Sequence, residues 1–218
     1  MAATARTLRV RVVIDTICPW CYVGKRRIDK AIELAKQKWP GLDVSLEYMP
    51  YQLDPGMGRG IDKLEMYQEK FGSRASGIFE RLAAVGREDG IELKFGGKVS
   101  NTLDSHRLID YAKLQGGSKA ENKVIVSLLR RYFEQEQDIG DIGTLVGAAT
   151  DAALDPLATK EYLLSTDGVE AIKARIGQAK QLGVTGVPFY IINDRFGVSG
   201  AEMPETLLAA FEKALDSA

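Results

Sequence analysis

The chain has 218 residues, of which 45% are hydrophobic and 27% are charged, a composition typical of one globular domain or of a domain with an insertion. Its 29 Lys and Arg residues nearly balance 30 Asp and Glu residues, so the formal net charge is −1. This balance gives no bulk attraction to nucleic acid or to an anionic membrane surface. No apolar run is long enough to span a bilayer, so we expect no membrane partner.

The first element along the chain is a predicted β-strand over residues 8–15, where apolar residues alternate with arginines. A helical pattern starts at Pro19, a favourable first helical residue, and ends at Pro40. A second alternating segment, residues 44–48, predicts another strand. Strand, helix and strand together form a predicted βαβ unit.

Residues 62–182 show helical periodicity and almost no strand signals, and this segment is too long to be a loop. We therefore predict an all-helical insertion over residues 62–182. Strand patterns return at residues 188–193 and 196–199, and a closing helix follows. Without the insertion the order is βαβ followed by ββα, which resembles the thioredoxin fold. The predicted class is α/β, with a thioredoxin-like core in residues 1–61 and 183–218.

The only two cysteines of the chain form the motif Cys18-Pro19-Trp20-Cys21, at the predicted junction of the first strand and the first helix. Unpaired amide groups and the positive dipole end of a helix stabilise a thiolate at Cys18. Cys18 is therefore the candidate nucleophile, and Cys21, one turn into the helix, is the candidate resolving thiol. A structural zinc site and a pair of inert core thiols are the alternatives, but zinc normally takes four Cys or His ligands and only His106 could join the sulfurs. We predict a redox-active pair and no metal.

The use of cysteine also bears on the cellular compartment. No cysteine lies outside the motif, and the N-terminal residues lack the uninterrupted apolar segment of a secretory signal. In reducing compartments structural disulfides are rare, and a Cys-x-x-Cys pair is usually catalytic or metal-binding. We therefore predict a cytoplasmic protein. A short mitochondrial presequence over residues 2–9 is the weaker alternative, because its arginines overlap the first predicted strand.

Several segments together carry a resemblance to a known family. The cysteine motif after a strand, the helical block inside a thioredoxin-like core, and Thr185-Gly186-Val187-Pro188 before the third core strand resemble the DsbA superfamily. Longer segments, namely residues 15–26, 101–107, 138–141 and 183–189, are similar to its cytosolic FrnE-like branch. These segments are spread over nearly the whole length, so the resemblance covers core and insertion alike.

The resemblance implies a thiol–disulfide oxidoreductase, in some members an isomerase, that acts through a mixed disulfide and needs no cofactor. Its implied partners are a disulfide or dithiol substrate protein, or glutathione as a co-substrate. Related families include kappa-class glutathione transferases and 2-hydroxychromene-2-carboxylate isomerases, which typically have a serine where Cys18 stands. A glutathione-dependent transferase or isomerase is therefore the alternative function, and the presence of Cys21 favours redox chemistry. A binding module that holds unfolded chains is a third interpretation.

The resemblance also implies a role for the loop formed by Thr185, Gly186, Val187 and Pro188. Its proline is expected to follow a cis peptide bond and to face the cysteine motif. Val187 would then offer its backbone N–H and C=O groups to an extended substrate, which would pair like an added strand. The alternative is a proline that simply occupies the first position of a strand.

Other residues near the motif are weaker candidates. Pro19 and Trp20 are expected at the substrate site, where an exposed Trp20 would dock apolar substrate surface, with core packing as its alternative. By resemblance, His106 lies on a helix near the active site, where it could carry protons or serve a structural role. Residues 25–27 are basic and indicate a solvated helix face, or a cluster that attracts the carboxylates of glutathione. Asp15 either accepts a proton from the second thiol or merely ends the first strand.

Overall fold

The computed structural model describes residues 6–217, so most of the segment considered as a presequence lies outside the described residues. The chain divides into two compact units. The core unit extends to Tyr51 and resumes at Gln178, and the insertion unit is the segment Gln52–Gly177. The domain limits of 61 and 183 stay a prediction about folding units, because compactness does not establish independent folding.

The predicted order of elements, βαβ, helices and then ββα, is confirmed. The elements are β1 (Thr7–Ile14), α1 (Pro19–Lys38), β2 (Asp43–Pro50), β3 (Ile61–Asp62), α2 (Lys63–Phe71), α3 (Ala75–Glu88), β4 (Lys98–Val99), α4 (Leu103–Phe133), α5 (Ile142–Asp151), α6 (Pro156–Leu164), α7 (Val169–Gln181), β5 (Phe189–Ile192), β6 (Phe196–Ser199) and α8 (Pro204–Asp216). The antiparallel pair β3–β4 was not predicted. Strands of two residues are too short to show an alternating pattern.

The core unit is built on a four-stranded sheet in the order β2-β1-β5-β6. β1 runs parallel to β2 and antiparallel to β5, so it is an interior strand. Val12 pairs with Tyr48 on β2 and with Tyr190 on β5, which places these three residues in one row across the sheet. α1 packs against α8, and α8 contacts β1, β5 and β6. A short turn, residues 15–18, connects the carboxyl end of β1 to α1.

The other side of the sheet is also covered. Val13 packs in a buried cluster with Met49, Ala179 and Val184. Ala179 lies near the end of α7, so the last turn of that helix contributes to this cluster. Because successive residues of a strand point to opposite faces, β1 is buried on both sides at its carboxyl end.

The insertion unit is organised around α4, which contacts α5 and α6. Non-helical dihedrals at Gly116 and Gly117 divide α4 into two segments, and Gly117 has a φ of 65°, a left-handed conformation that glycine adopts without steric cost. In the first segment, the Arg107 side chain is 2% exposed and donates to Asp104. The same guanidinium donates to four carbonyl groups, those of Tyr162, Leu163, Ser165 and Asp167. Arg107 therefore holds the C-terminal end of α6 and the turn after it, where a cation is favoured.

Candidate active site

The two cysteines lie at the junction between β1 and α1. Cys18 immediately precedes the helix with φ −86° and ψ 115°, and its amide donates to the Asp15 carbonyl at 3.1 Å. Cys21 is in the first turn, and its amide donates to the Cys18 carbonyl at 3.0 Å. The first amide groups of a helix and its dipole favour negative charge. Cys18 therefore stands at the end of α1 that favours negative charge, and its side chain makes no capping hydrogen bond there.

Both cysteines are free thiols, and their side chains are hydrogen-bonded to each other. Cys18 is 4% exposed and Cys21 is 1% exposed. Burial raises the pKa of the Cys21 thiol well above its ordinary value, and the hydrogen bond with Cys18 raises it further. The backbone amide of Asp15 acts against this rise, whereas the charge of the Asp15 carboxylate adds to it. The two thiols are thus unequal, since Cys21 is protonated and enclosed while Cys18 lies at the helix N-terminus.

The loop before β5 reaches the first cysteine. The Cys18 thiol donates to the Val187 carbonyl oxygen, with an S···O distance of 3.5 Å. The Val187–Pro188 peptide bond is cis. Thr185 is exposed, Gly186 and Val187 are half-buried, and Pro188 is buried. The structure therefore brings the backbone of Val187 beside the sulfur of Cys18.

A close contact between α1 and this loop was not predicted. A Cβ atom added at Gly24 would lie 2.5 Å from the Tyr190 hydroxyl oxygen and 2.8 Å from Cγ of Pro188. Only glycine allows the helix to approach the two side chains so closely. An isolated glycine inside a helical pattern is the sequence signal that could have indicated this contact. No comparable signal marks Tyr190, whose position in an alternating strand indicates only burial.

Pro19 and Trp20 separate the two cysteines. Pro19 is buried at the first position of α1, and Trp20 is half-buried. Trp20 is thus less open than the sequence suggests, although part of its surface can be contacted from outside. Its role in substrate docking stays a prediction.

The basic residues 25–27 do not form a solvated face. Lys25 is 3% exposed and forms an ion pair with Asp29, and burial lowers its pKa. Arg27 is 7% exposed and donates to the Ala201 carbonyl at 2.7 Å. Arg26 is exposed. The interpretation as a solvated face is therefore wrong for Lys25 and Arg27, because both side chains are used inside the fold.

His106 lies in α4, in the insertion unit, and is 2% exposed. Its amide donates to the Thr102 carbonyl at 3.1 Å, in the first turn of the helix. Both alternatives for His106, a proton carrier and a structural residue, stay predictions. Its neighbour Arg107 has the structural role described above.

Residues 6–217 contain neither a metal-binding cluster nor a membrane-spanning helix. Among these residues, no three His, Cys, Asp or Glu side chains come together in a group that could hold a metal ion. In the same part of the chain, no helix combines the length and apolar character needed to cross a bilayer.

Comparisons with known proteins agree with this fold. A family model described as the DSBA-like thioredoxin domain matches residues 9–212. The uncharacterized protein YwbO of Bacillus subtilis (strain 168) is 26% identical over 215 residues, which cover 95% of this chain and 98% of YwbO. The crystal structure of the probable DsbA oxidoreductase SCO1869 from Streptomyces coelicolor superposes with a TM-score of 0.87 and 30% identity, covering 97% of this chain and 91% of that chain.

A more distant structure shares the fold. The cytosolic disulfide reductase DsbM from Pseudomonas aeruginosa superposes with a TM-score of 0.66 and 16% identity, over 96% of this chain and 100% of DsbM. DsbM with GSH superposes with a TM-score of 0.64. At this identity the likeness to DsbM shows the fold alone. The family model spans nearly the whole chain, and we conclude that the chain belongs to the family of DsbA-like thioredoxin domains.

Proposed function

We propose that the chain is a thiol–disulfide oxidoreductase whose redox centre is the pair Cys18 and Cys21. One observation carries the proposal: the Cys18 thiol lies at a helix start, where it is hydrogen-bonded to the Val187 carbonyl and to the thiol of Cys21, which is more deeply buried. Disulfide exchange needs an attacking thiolate and a nearby thiol that completes the reaction. Family membership supports the same chemistry.

The proposed reaction has two exchange steps. In the reductive direction, the Cys18 thiolate attacks one sulfur of a substrate disulfide, a mixed disulfide forms, and one substrate thiolate leaves. Cys21 then loses its proton and attacks the Cys18 sulfur, so that the Cys18–Cys21 disulfide forms. The second substrate thiolate leaves and takes up the proton that Cys21 lost, directly or through solvent, so the products are one substrate thiolate, one substrate thiol and the protein disulfide. The oxidative direction is the reverse of these steps, and the potential of the pair relative to the thiol pool sets the direction.

The loop before β5 is the proposed substrate platform. Val187 is half-buried, and its carbonyl lies 3.5 Å from the Cys18 sulfur, so a chain that extends along this backbone would bring its own sulfur to Cys18. Gly186 and the exposed Thr185 continue the same edge. Trp20, half-buried between the cysteines, would contact apolar substrate groups.

The proposed partner is a protein with a disulfide or dithiol, or glutathione as a co-substrate. The structure of DsbM with GSH supports keeping glutathione among the candidates. A cytoplasmic location is proposed because the two cysteines of the pair are the only ones in the chain. The near-balanced charge gives no reason to propose nucleic acid or a membrane as a partner.

Single substitutions of the two cysteines test the mechanism. We expect Cys21→Ser to accumulate a mixed disulfide through Cys18, because the step that releases the substrate is lost. Cys18→Ser is expected to abolish exchange with a substrate disulfide. Mass spectrometry of the adduct with oxidised glutathione and with a disulfide-containing peptide measures both outcomes. Equal trapping by the two variants would contradict the assignment of Cys18 as nucleophile.

The same variants distinguish the proposed disulfide exchange from the alternative function. A glutathione-dependent transferase or isomerase needs no second thiol, so its activity on a small aromatic substrate would survive in Cys21→Ser. We expect instead that disulfide reduction is lost in that variant. Retained turnover of such a substrate, with no disulfide exchange by the unmodified protein, would favour the alternative.

A further inference from the structure

Tyr190 is a buried residue that has no covalent part in the two exchange steps. It lies on β5, two residues after Pro188, and it is 0% exposed. No protein atom among residues 6–217 accepts a hydrogen bond from its hydroxyl or donates one to it. Buried polar groups in native proteins are nearly always paired, so an unpaired one calls for an explanation.

The hydroxyl approaches the helix that carries the resolving thiol. It approaches α1 at Gly24, where an added Cβ atom would be 2.5 Å from the oxygen. Gly24 follows Cys21 by three residues, and residues at this spacing share one face of a helix. The Tyr190 hydroxyl thus faces the side of α1 that carries the Cys21 sulfur.

The influences on the Tyr190 pKa are consistent with this position. Burial raises the pKa of Tyr190, and the charge of Cys21 raises it further. Glu202 and Asp29 add to the rise, and Arg27 opposes it. Tyr190 therefore keeps its proton under all physiological conditions. Such a phenol can donate a hydrogen bond, but it is too weak an acid to give up its proton.

The resolving step needs a donor of this kind. When Cys18 is part of a mixed disulfide, it no longer makes the hydrogen bond that raises the pKa of Cys21, but the burial of Cys21 remains. Cys21 must then become a thiolate inside an enclosed site, where burial and the Asp15 carboxylate both disfavour negative charge. The amide of Asp15 supplies one hydrogen bond to the sulfur. A second donor would stabilise the thiolate further, because hydrogen bonds to the charged form favour that form.

We propose that the Tyr190 hydroxyl, which has no protein hydrogen-bond partner among residues 6–217 while Cys21 is a thiol, donates a hydrogen bond to the Cys21 sulfur once it is a thiolate, and so acts as a catalytic residue in the resolving step. This inference rests on the proposed function. In the reductive direction the bond favours ionisation of Cys21 before it attacks Cys18. In the oxidative direction it stabilises the same sulfur as the leaving group when a substrate thiolate attacks Cys18. No proton passes through Tyr190, and no further reactant is needed.

Tyr190→Phe tests the proposal, with Tyr48→Phe as the matched control. Tyr48 is a buried tyrosine in the same row of the sheet, on the far side of Val12. The reduced protein is mixed with a chromogenic aromatic disulfide whose thiolate product absorbs visible light. Attack by Cys18 releases the first chromogenic thiolate, and resolution by Cys21 releases the second. Rapid-mixing absorbance therefore separates the two steps in the full chain.

We expect Tyr190→Phe to leave the first step unchanged and to slow the second at neutral pH. The nucleophilicity of a thiolate rises with its pKa with a Brønsted slope of about 0.4–0.5, so each unit of rise in the Cys21 pKa slows resolution about three-fold at neutral pH. Above both pKa values the order reverses, and the variant resolves about three-fold faster. The crossing of the two pH profiles is a sign that loss of packing alone would not produce.

The outcomes are distinct. Equal second steps in the unmodified protein and in Tyr190→Phe across the pH range would overturn the inference while the proposed function stands. Equal slowing of both steps, with a lower thermal unfolding midpoint, would assign the hydroxyl a structural role and also overturn it. If the unmodified protein released no chromogenic thiolate at all, the proposed function itself would fail. Tyr48→Phe is expected to match the unmodified protein in both steps.

Discussion

Arg107 in the insertion unit and Tyr190 in the core unit are both large, buried side chains with polar groups, and their surroundings differ. Arg107 donates to one carboxylate and to four backbone carbonyls. The Tyr190 hydroxyl has no protein partner within the described part of the chain. An unpaired buried polar group costs about 1–3 kcal/mol. Arg107 thus holds loops of the insertion together, whereas the Tyr190 hydroxyl of the core stays unpaired against α1, at a cost in stability.

The largest effect on stability is expected when Arg107 is substituted. Arg107→Met should lower the free energy of unfolding by about 3–5 kcal/mol, because Asp104 loses a buried partner and four carbonyls lose their donor. Urea denaturation followed by circular dichroism measures this loss.

An exposed ion pair is the control for Arg107. Lys173 and Glu170 are 2.8 Å apart on the surface of α7, and Lys173→Met should cost less than about 1 kcal/mol. If Arg107→Met cost no more than Lys173→Met, the idea that the Arg107 network stabilises the insertion would be wrong.

A smaller effect on stability is expected at Gly24, where α1 approaches Tyr190 and Pro188. Gly24→Ala places a methyl group against the Tyr190 hydroxyl and Pro188, and overpacking of this kind costs about 1–3 kcal/mol. The gain in helix propensity of about 1 kcal/mol offsets only part of this cost. We also expect slower disulfide exchange, since the displaced loop carries Val187.

Gly77→Ala in α3 is the matched substitution, because an added Cβ there meets nothing within 4 Å. It should raise the free energy of unfolding by about 0.5–1 kcal/mol through helix propensity. Opposite signs for the two variants in urea denaturation would support the close approach of α1 to Tyr190. Stabilisation by Gly24→Ala would show that the helix and the loop are farther apart.

The smallest effect concerns a buried titratable group of the insertion. Lys63 is 2% exposed, and its ammonium lies 3.8 Å from the centre of the Tyr132 ring and donates to the Tyr132 carbonyl. Burial lowers the pKa of Lys63 to about 8, while Glu136 and Asp138 oppose the shift. The unfolded chain keeps the Lys63 proton up to its ordinary pKa of 10.5, so above about 8 the unfolded state binds more protons than the folded state.

Stability contributed by this linkage must therefore rise with pH in that window. Over the first pH unit above that pKa, the rise should amount to about 1 kcal/mol, and Lys63→Met should remove it. Free energies of unfolding at several pH values, compared between the two proteins, measure the difference. Lys173→Met is expected to keep the rise. The same pH dependence in Lys63→Met and in the unmodified protein would contradict the prediction.

Much of the core could be predicted from the sequence, since its signals are local. Alternation along β1 and helical spacing after Pro19 define two neighbouring elements, and the cysteine motif lies between them. Burial of Lys25 and Arg27 could not be predicted in this way, because a charged side chain is expected to be exposed to solvent. The Arg27 guanidinium donates a hydrogen bond to the carbonyl of Ala201, which is 174 residues away in the chain. A periodic pattern records which residues are apolar, and it does not record a distant carbonyl that pairs with a cation.

The sequence by itself determined that a thiol pair stands at a helix start, because strand, helix and motif are contiguous and the amides that favour a thiolate belong to the same helix. Only the tertiary structure decided what surrounds that pair. The Val187 carbonyl, 169 residues from Cys18, reaches its thiol because β5 lies next to β1 in the sheet. Tyr190 reaches α1 for the same reason, at the position where Gly24 has no side chain. Contacts between distant segments depend on how the whole sheet packs, and this is not encoded in any local pattern.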